Sequence, residues 1–127
     1  MNRIEIERTA LRSRMLGGIR ANDEGTEVEL AGWVHRRRDL GGLIFLDLRD
    51  RSGLVQVSLG PDWTDATSLE LAHQLGAEDV VALVGSVAVR PTENRNPEIP
   101  TGEVEIRATA LRHLAHADTP AIPVYRG

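Results

Sequence analysis

The chain has 127 residues, 41% hydrophobic and 27% charged, which is enough for one modest core and inconsistent with pervasive disorder. It contains no cysteine, excluding disulfides, a thiolate nucleophile and cysteine-ligated zinc, and no apolar run approaches the roughly 18 residues of a membrane span. The net charge of −4 argues against indiscriminate binding to nucleic acid, yet all 15 basic residues are arginine, whose planar fork suits phosphates and base edges.

Residues 1–25 are weakly patterned. "MNRIEIERTALRSRMLGG" alternates charged with apolar residues and lacks the continuous apolar core of a secretory signal; the lack of cysteine is compatible with a cytoplasmic protein. Short helical turns are expected here, ending at Gly25. From Thr26 the period becomes two. In "TEVELAGWV", Val28 and Leu30 alternate with Glu27 and Glu29, reading as a half-buried first strand in which Gly32 permits a bend or bulge. Three adjacent arginines, Arg36 to Arg38, then meet a Gly-Gly turn. "LIFLDLRD" is the second strand, with Ile44, Leu46 and Leu48 on one face and Phe45, Asp47 and Arg49 on the other. A short turn at Ser52-Gly53 leads into "LVQVSL", a third strand with Val55, Val57 and Leu59 opposite Leu54, Gln56 and Ser58.

Pro61 ends that strand. Leu69, Ala72 and Leu75 recur at helical spacing, with Gly76 as the expected stop. "DVVALVGSVAVR" is a mostly apolar fourth strand, "PTENRNPEIPTG" a polar loop with three prolines, and "EVEIRATALRHL" the fifth strand. The tail "AHADTPAIPVYRG" adds no further element. Five strands with one helix between the third and fourth is the order of an all-β, five-stranded OB-fold Greek-key barrel, a fold that binds oligonucleotides on its second and third strands.

Phe45, the only phenylalanine, falls on the polar face of its strand. Either another part of the chain covers it, or it is a stacking platform for an unpaired base, worth about 1–3 kcal/mol. Gln56, on the matching face of the next strand, carries donors and an acceptor that can read a base edge. The arginine run is either a solvated cluster or a grip on phosphates with one member reaching a base. A β-bulge would aim alternate members at one face, but the sequence does not say which. No catalytic constellation assembles: the Gly-Gly pairs lack the Lys-Ser or Lys-Thr of a phosphate loop, there is no Gly-x-Ser-x-Gly elbow, and His113-x-x-His116 has no second ligand pair. No catalytic or metal site is expected in this chain.

The run "GWVHRRRDLGGLIFLDLRDRSGLVQV" (32–57) resembles the signature of the N-terminal anticodon-binding domain of bacterial-type aspartyl-tRNA synthetases. The likeness continues through "GSVAVRP", "TGEVEI" and "ADTPAIPV", covering roughly residues 17–124. The resemblance implies that Arg38, Phe45 and Gln56 surround the central uridine of a GUC-type anticodon. Arg36 belongs to the same grip. Arg90 and Asn94, at the loop after the fourth strand, and Glu105, on the fifth, complete the pocket; Glu105 suits a guanine edge. Leu40 stands where relatives of relaxed tRNA specificity often have histidine, which favours strict tRNA(Asp) recognition.

The resemblance also implies a longer protein. A class II catalytic domain using ATP and Mg2+, and a homodimer, belong to the full enzymes, whereas this chain stops at "IPVYRG". The expected division is therefore an N-terminal extension over 1–25, the barrel over 26–116, and over 117–127 the start of a linker to an absent catalytic domain. Residues 1–16 extend past the usual start. Two other readings compete: a general single-strand-binding OB domain, and an OB domain that docks a protein partner.

Overall fold

The computed structural model describes residues 12–115. His116 and the expected linker lie outside that range, as do residues 1–11. The elements are β1 (Arg12–Ser13), β2 (Glu27–Leu40), β3 (Leu43–Asp50), β4 (Gly53–Leu59), the helix α1 (Ala66–Ala72), β5 (Val80–Val89) and β6 (Val104–Ala115), with 3-10 turns at Leu16–Gly18, Ala21–Asp23 and Thr92–Asn94. β2 to β6 close a five-stranded barrel in the order β2-β3-β4-β6-β5, sealed by the pairing of β2 with β5. β6 pairs parallel with β4 and antiparallel with β5, a non-sequential order of the Greek-key kind. β1 adds two residues alongside Val28 and Glu29.

Period-two alternation places the inward faces as expected. Ile44, Leu46, Leu48, Val55, Val57 and Leu59 are all fully buried, meeting Val81, Leu83, Val104 and Ile106 from the other strands. The segment before β2 also enters this core through Leu16 and Ile19. Asp50 holds it in place: its carboxylate accepts from the Leu16 N–H at 3.0 Å and the Ser52 N–H at 2.7 Å. Burial pushes the Asp50 carboxyl up, but these bonds, with those from the Gly53 N–H and the Ser52 hydroxyl, hold it below the usual aspartate value.

β2 is longer than the alternating stretch that announced it. It runs through the arginines as far as Leu40, and a two-residue hairpin with positive φ at both Gly41 and Gly42 returns the chain to β3. Its first half, Glu27 to Trp33, pairs with β5; its second half, from Trp33 onward, pairs with β3. Gly32 sits at this change of partner, where a Cβ would come within 2.5 Å of the Arg49 carbonyl oxygen. The bulge itself lies further on, between Val34 and Arg36. Both backbone groups of Val34 are taken by the segment entering β5: its N–H donates to the Asp79 carbonyl at 2.8 Å and its carbonyl accepts from Glu78 at 2.6 Å.

α1 plugs the barrel beside β6. Asp65 caps its start, accepting from the Ser68 N–H at 2.8 Å, and the Leu111 N–H donates to the Ser68 hydroxyl at 2.8 Å. The expected stop at Gly76 is not what ends the helix. It closes at Ala72 with His73 as C-cap, and the Arg37 guanidinium donates to the carbonyls of Ala72, His73 and Leu75 at 3.2, 2.6 and 3.0 Å. A tertiary cation answers carbonyls at and just past the helix end here, a task a C-terminal glycine motif often performs locally.

Candidate nucleic-acid interface

The bulge decides where the arginines point. Val34 faces inward opposite Leu48, and strict alternation from there would send Arg36 and Arg38 inward too. The extra residue, His35, shifts the phase by one. Arg36 therefore pairs with Asp47, Arg38 with Phe45 and Leu40 with Leu43, all on the outer face of the sheet, while Arg37 pairs with Leu46 and reaches the helix end. Alternate members of the run share one face, with two on the groove and one in the scaffold.

That outer face is the floor of an open groove of about 580 Å³. Arg36, Arg38, Leu40, Phe45, Gln56, Arg90, Asn94 and Glu105 all line it. The cross-strand pairs Asp47 with Gln56 and Phe45 with Ser58 continue the same face into β4. Hydrogen bonds order the side chains in a line. Arg38 donates to the Gln56 amide oxygen at 3.1 Å, the Gln56 amide nitrogen donates to Glu105 at 3.1 Å, and the Ser58 hydroxyl donates to the other Glu105 oxygen at 2.7 Å. This chain leaves the Gln56 amide in one orientation, with donor and acceptor both already assigned. Arg38 lies over the Phe45 ring, 5.5 Å from its centre, and 3.8 Å from Asp47.

Four arginines and two carboxylates line the groove, so a chain of net charge −4 presents a locally cationic surface there. Phe45 is half-buried, and the described segment before β2 packs through Leu16 into the core and against Asp50 instead of over the ring. Leu40 is 54% exposed beside the hairpin. Arg90 differs from the other arginines. It is only 6% exposed, its Nε donates to the Val104 carbonyl at 2.7 Å, and its Nη1 donates to the Asn94 carbonyl at 3.2 Å. Burial lowers its pKa while Glu105 and Asp47 act against the shift; as an arginine it stays charged. Arg90 thus lines the groove and also ties down the loop that carries Asn94.

Among the lining residues that the sequence did not single out are Ser58, Trp63 and Arg107. The alternation already placed Ser58 and Arg107 on outward faces, but nothing local brings Trp63 to them. It follows Pro61, and its ring Nε1–H donates to the Ser58 carbonyl at 3.1 Å. A separate concavity of about 630 Å³, walled by Met15, Trp33, Val80 and Leu114, shares no residue with the groove and has no comparable row of base-reading groups. Among the described residues no group of three or more His, Asp or Glu could hold a metal; His113 lies 3.9 Å from Asp79.

A closed five-stranded barrel with an open, arginine-rich groove across its second and third barrel strands defines the oligonucleotide-binding class of β-barrels. Residues 28–114 match the family model of the OB-fold nucleic acid binding domain, and the chain belongs to that family. An aspartate–tRNA(Asp/Asn) ligase of Rubrobacter xylanophilus is 48% identical over 115 residues, covering 91% of this chain and 19% of that protein. The ligase of the same name from Mycobacterium tuberculosis is 54% identical over 104 residues, 82% of this chain and 17% of its own. The chain spans about a fifth of the length of these curated relatives. Among solved structures, an asparaginyl-tRNA synthetase from Pyrococcus horikoshii superposes with a TM-score of 0.70 at 28% identity, covering 84% of this chain and 23% of that one. An OBody bound to hen egg-white lysozyme does so at 0.71 and 27%, covering 84% and 97%.

Proposed function

We propose that this domain binds the anticodon loop of tRNA(Asp) and, within a longer aspartate–tRNA ligase, positions that tRNA for aspartylation. The observation that carries the reading is the ordered line Arg38–Gln56–Glu105 running beside an aromatic ring on a cationic groove. Phe45 stacks on the unpaired central base. Gln56 and Arg38 exchange their mutual hydrogen bond for bonds to that base's edge, and Glu105 accepts from a guanine. Arg36 contacts the backbone, and Asn94 closes the groove from a loop that Arg90 anchors. The domain selects by binding energy and makes or breaks no bond itself.

The whole protein follows from the same reading. Residues 1–25 form an extension, 26–116 the anticodon-binding barrel, and 117–127 lead toward a class II catalytic domain that would hold ATP and Mg2+. That enzyme works in the cytoplasm, as a homodimer. No residue of the groove is assigned to ATP or the metal. No helix among the described residues is long and apolar enough to cross a membrane.

Titration of the 127-residue chain with a GUC-loop RNA hairpin and a scrambled-loop hairpin, across salt, tests the proposal. The GUC loop is expected to bind more tightly at every salt concentration, and Phe45→Ala to weaken it by about 5- to 150-fold, the equivalent of one lost base stack. Equal affinity for both loops would instead indicate a general single-strand binder, and weak salt dependence without RNA competition a protein-docking domain.

A second reading concerns specificity. Leu40 favours strict recognition of tRNA(Asp), whereas the curated relatives named above carry both tRNA(Asp) and tRNA(Asn) in their names. A GUU-loop hairpin in the same titration decides between them: strict recognition requires it to bind more weakly than GUC, and Leu40→His then narrows the gap.

A further inference from the structure

Resting on the nucleic-acid reading above, we propose that Arg107, held over the Trp63 ring, is a second stacking platform that takes a base next to the one on Phe45. The cross-strand registers place Arg38, Phe45, Ser58 and Arg107 in one row across β2, β3, β4 and β6. The row carries an arginine–aromatic unit at each end. The Arg38 guanidinium carbon lies 5.5 Å from the centre of the Phe45 ring, and that of Arg107 lies 5.0 Å from the centre of the Trp63 ring. Between them Ser58 is buried and small, its hydroxyl turned to Glu105, so the floor between the two units is low.

Trp63 is fixed from below. Its indole N–H is committed to the Ser58 carbonyl, and the next residue, Thr64, bonds both to the Gly60 N–H at 3.0 Å and to the Ala108 carbonyl at 2.6 Å. Trp63 acts through Arg107 and is a positioning residue. The Arg107 side chain is half exposed, with Glu105 3.9 Å from its Nε. Neighbouring strands lie about 4.8 Å apart, so Phe45 and Arg107 are about 10 Å apart across β4, enough for one base on each platform. A guanidinium plane stacks on bases as an aromatic ring does, and stacking tolerates any base because each has a π-face. The second platform therefore lengthens the site and raises affinity without choosing the base.

Lysine keeps the charge of arginine but has no plane, so Arg107→Lys isolates the stacking role. In titrations of the 127-residue chain with the GUC-loop hairpin, Arg107→Lys is expected to weaken binding by roughly 5-fold with an unchanged salt slope. On a hairpin whose two nucleotides flanking the central anticodon base are abasic, the variant and the wild type are expected to bind alike. Wild-type affinity of Arg107→Lys for the intact loop, or an equal loss on both hairpins, would overturn the second platform. Phe45→Ala, run in parallel, separates the two proposals. If it weakens binding and Arg107→Lys does not, only the second platform falls; if the wild type does not bind the hairpin, both fall.

Discussion

The two halves of β2 share a backbone and obey opposite rules. From Glu27 to Val34 the even-numbered residues face the core; from Arg36 to Leu40 they face the groove. As far as Trp33 the first half is paired with β5 and built for burial; Val28, Leu30 and, just past that pairing, Val34 are essentially inaccessible. The second half is paired with β3 and carries Arg36, Arg38 and Leu40 on the groove face. A single extra residue at the bulge separates them. The difference shows how a barrel strand can present one phase to the core and the other to a groove without a loop between: the inward phase is broken once, just past the point where the strand changes neighbours.

Deleting His35 tests the bulge itself. Without the extra residue Val34 and Arg36 become consecutive and remain opposite Leu48 and Asp47, so Arg36 and Arg38 keep the groove face. The bonds from Val34 to Asp79 and Glu78 lie at the bulge, and losing them is expected to lower stability in urea unfolding by about 1–3 kcal/mol while hairpin affinity is retained. A deletion variant that loses its hairpin affinity together with cooperative unfolding would show that the extra residue does not set the phase in this way.

Arg37 and Arg38 sharpen the comparison at neighbouring positions. Arg37→Ala leaves the carbonyls of Ala72, His73 and Leu75 without their cation and is expected to lower stability by about 1–3 kcal/mol, measured by urea unfolding, with little change in hairpin affinity. Arg38→Ala is expected to do the reverse, weakening the hairpin complex and barely moving the urea midpoint. If both variants shift the same quantity, the alternation of roles within the run is wrong.

The smallest effect concerns the segment around Leu16 that docks at the turn between β3 and β4. The Asp50 carboxyl is held below its ordinary value of 3.8, so its contribution to stability is fully present above that pH and is lost as pH falls through the lower, folded value. Urea midpoints measured from pH 5 downward are expected to fall less steeply for Asp50→Asn than for the wild type. Identical slopes would mean that the bonds to Leu16 and Ser52 contribute no acid sensitivity.

Much of this was legible residue by residue. Alternation alone placed Ile44, Leu46 and Leu48 inside and Phe45 outside, because side chains on a strand have a period of two whatever the rest of the chain does. Gln56 followed by the same rule, and the spacing of Leu69, Ala72 and Leu75 marked the helix. The resemblance to a tRNA synthetase domain then singled out eight residues, and all eight line one groove. Local patterns misplaced the helix end and left the phase of the arginine run open. Gly76 looked like the helix stop because glycine commonly is one, but the carbonyls were answered by Arg37 from a strand 35 and more residues away.

The sequence by itself determined the faces of most strands, the helix and the stretch that resembles an anticodon-binding domain, since each depends on periodicity or on a contiguous motif. Only the tertiary structure decided the direction of each arginine, because a bulge is defined by the strand opposite it. Closure of the barrel, too, was needed to set Trp63 against Arg107 and to bury Arg90 under its loop, since those contacts join segments that no local pattern relates.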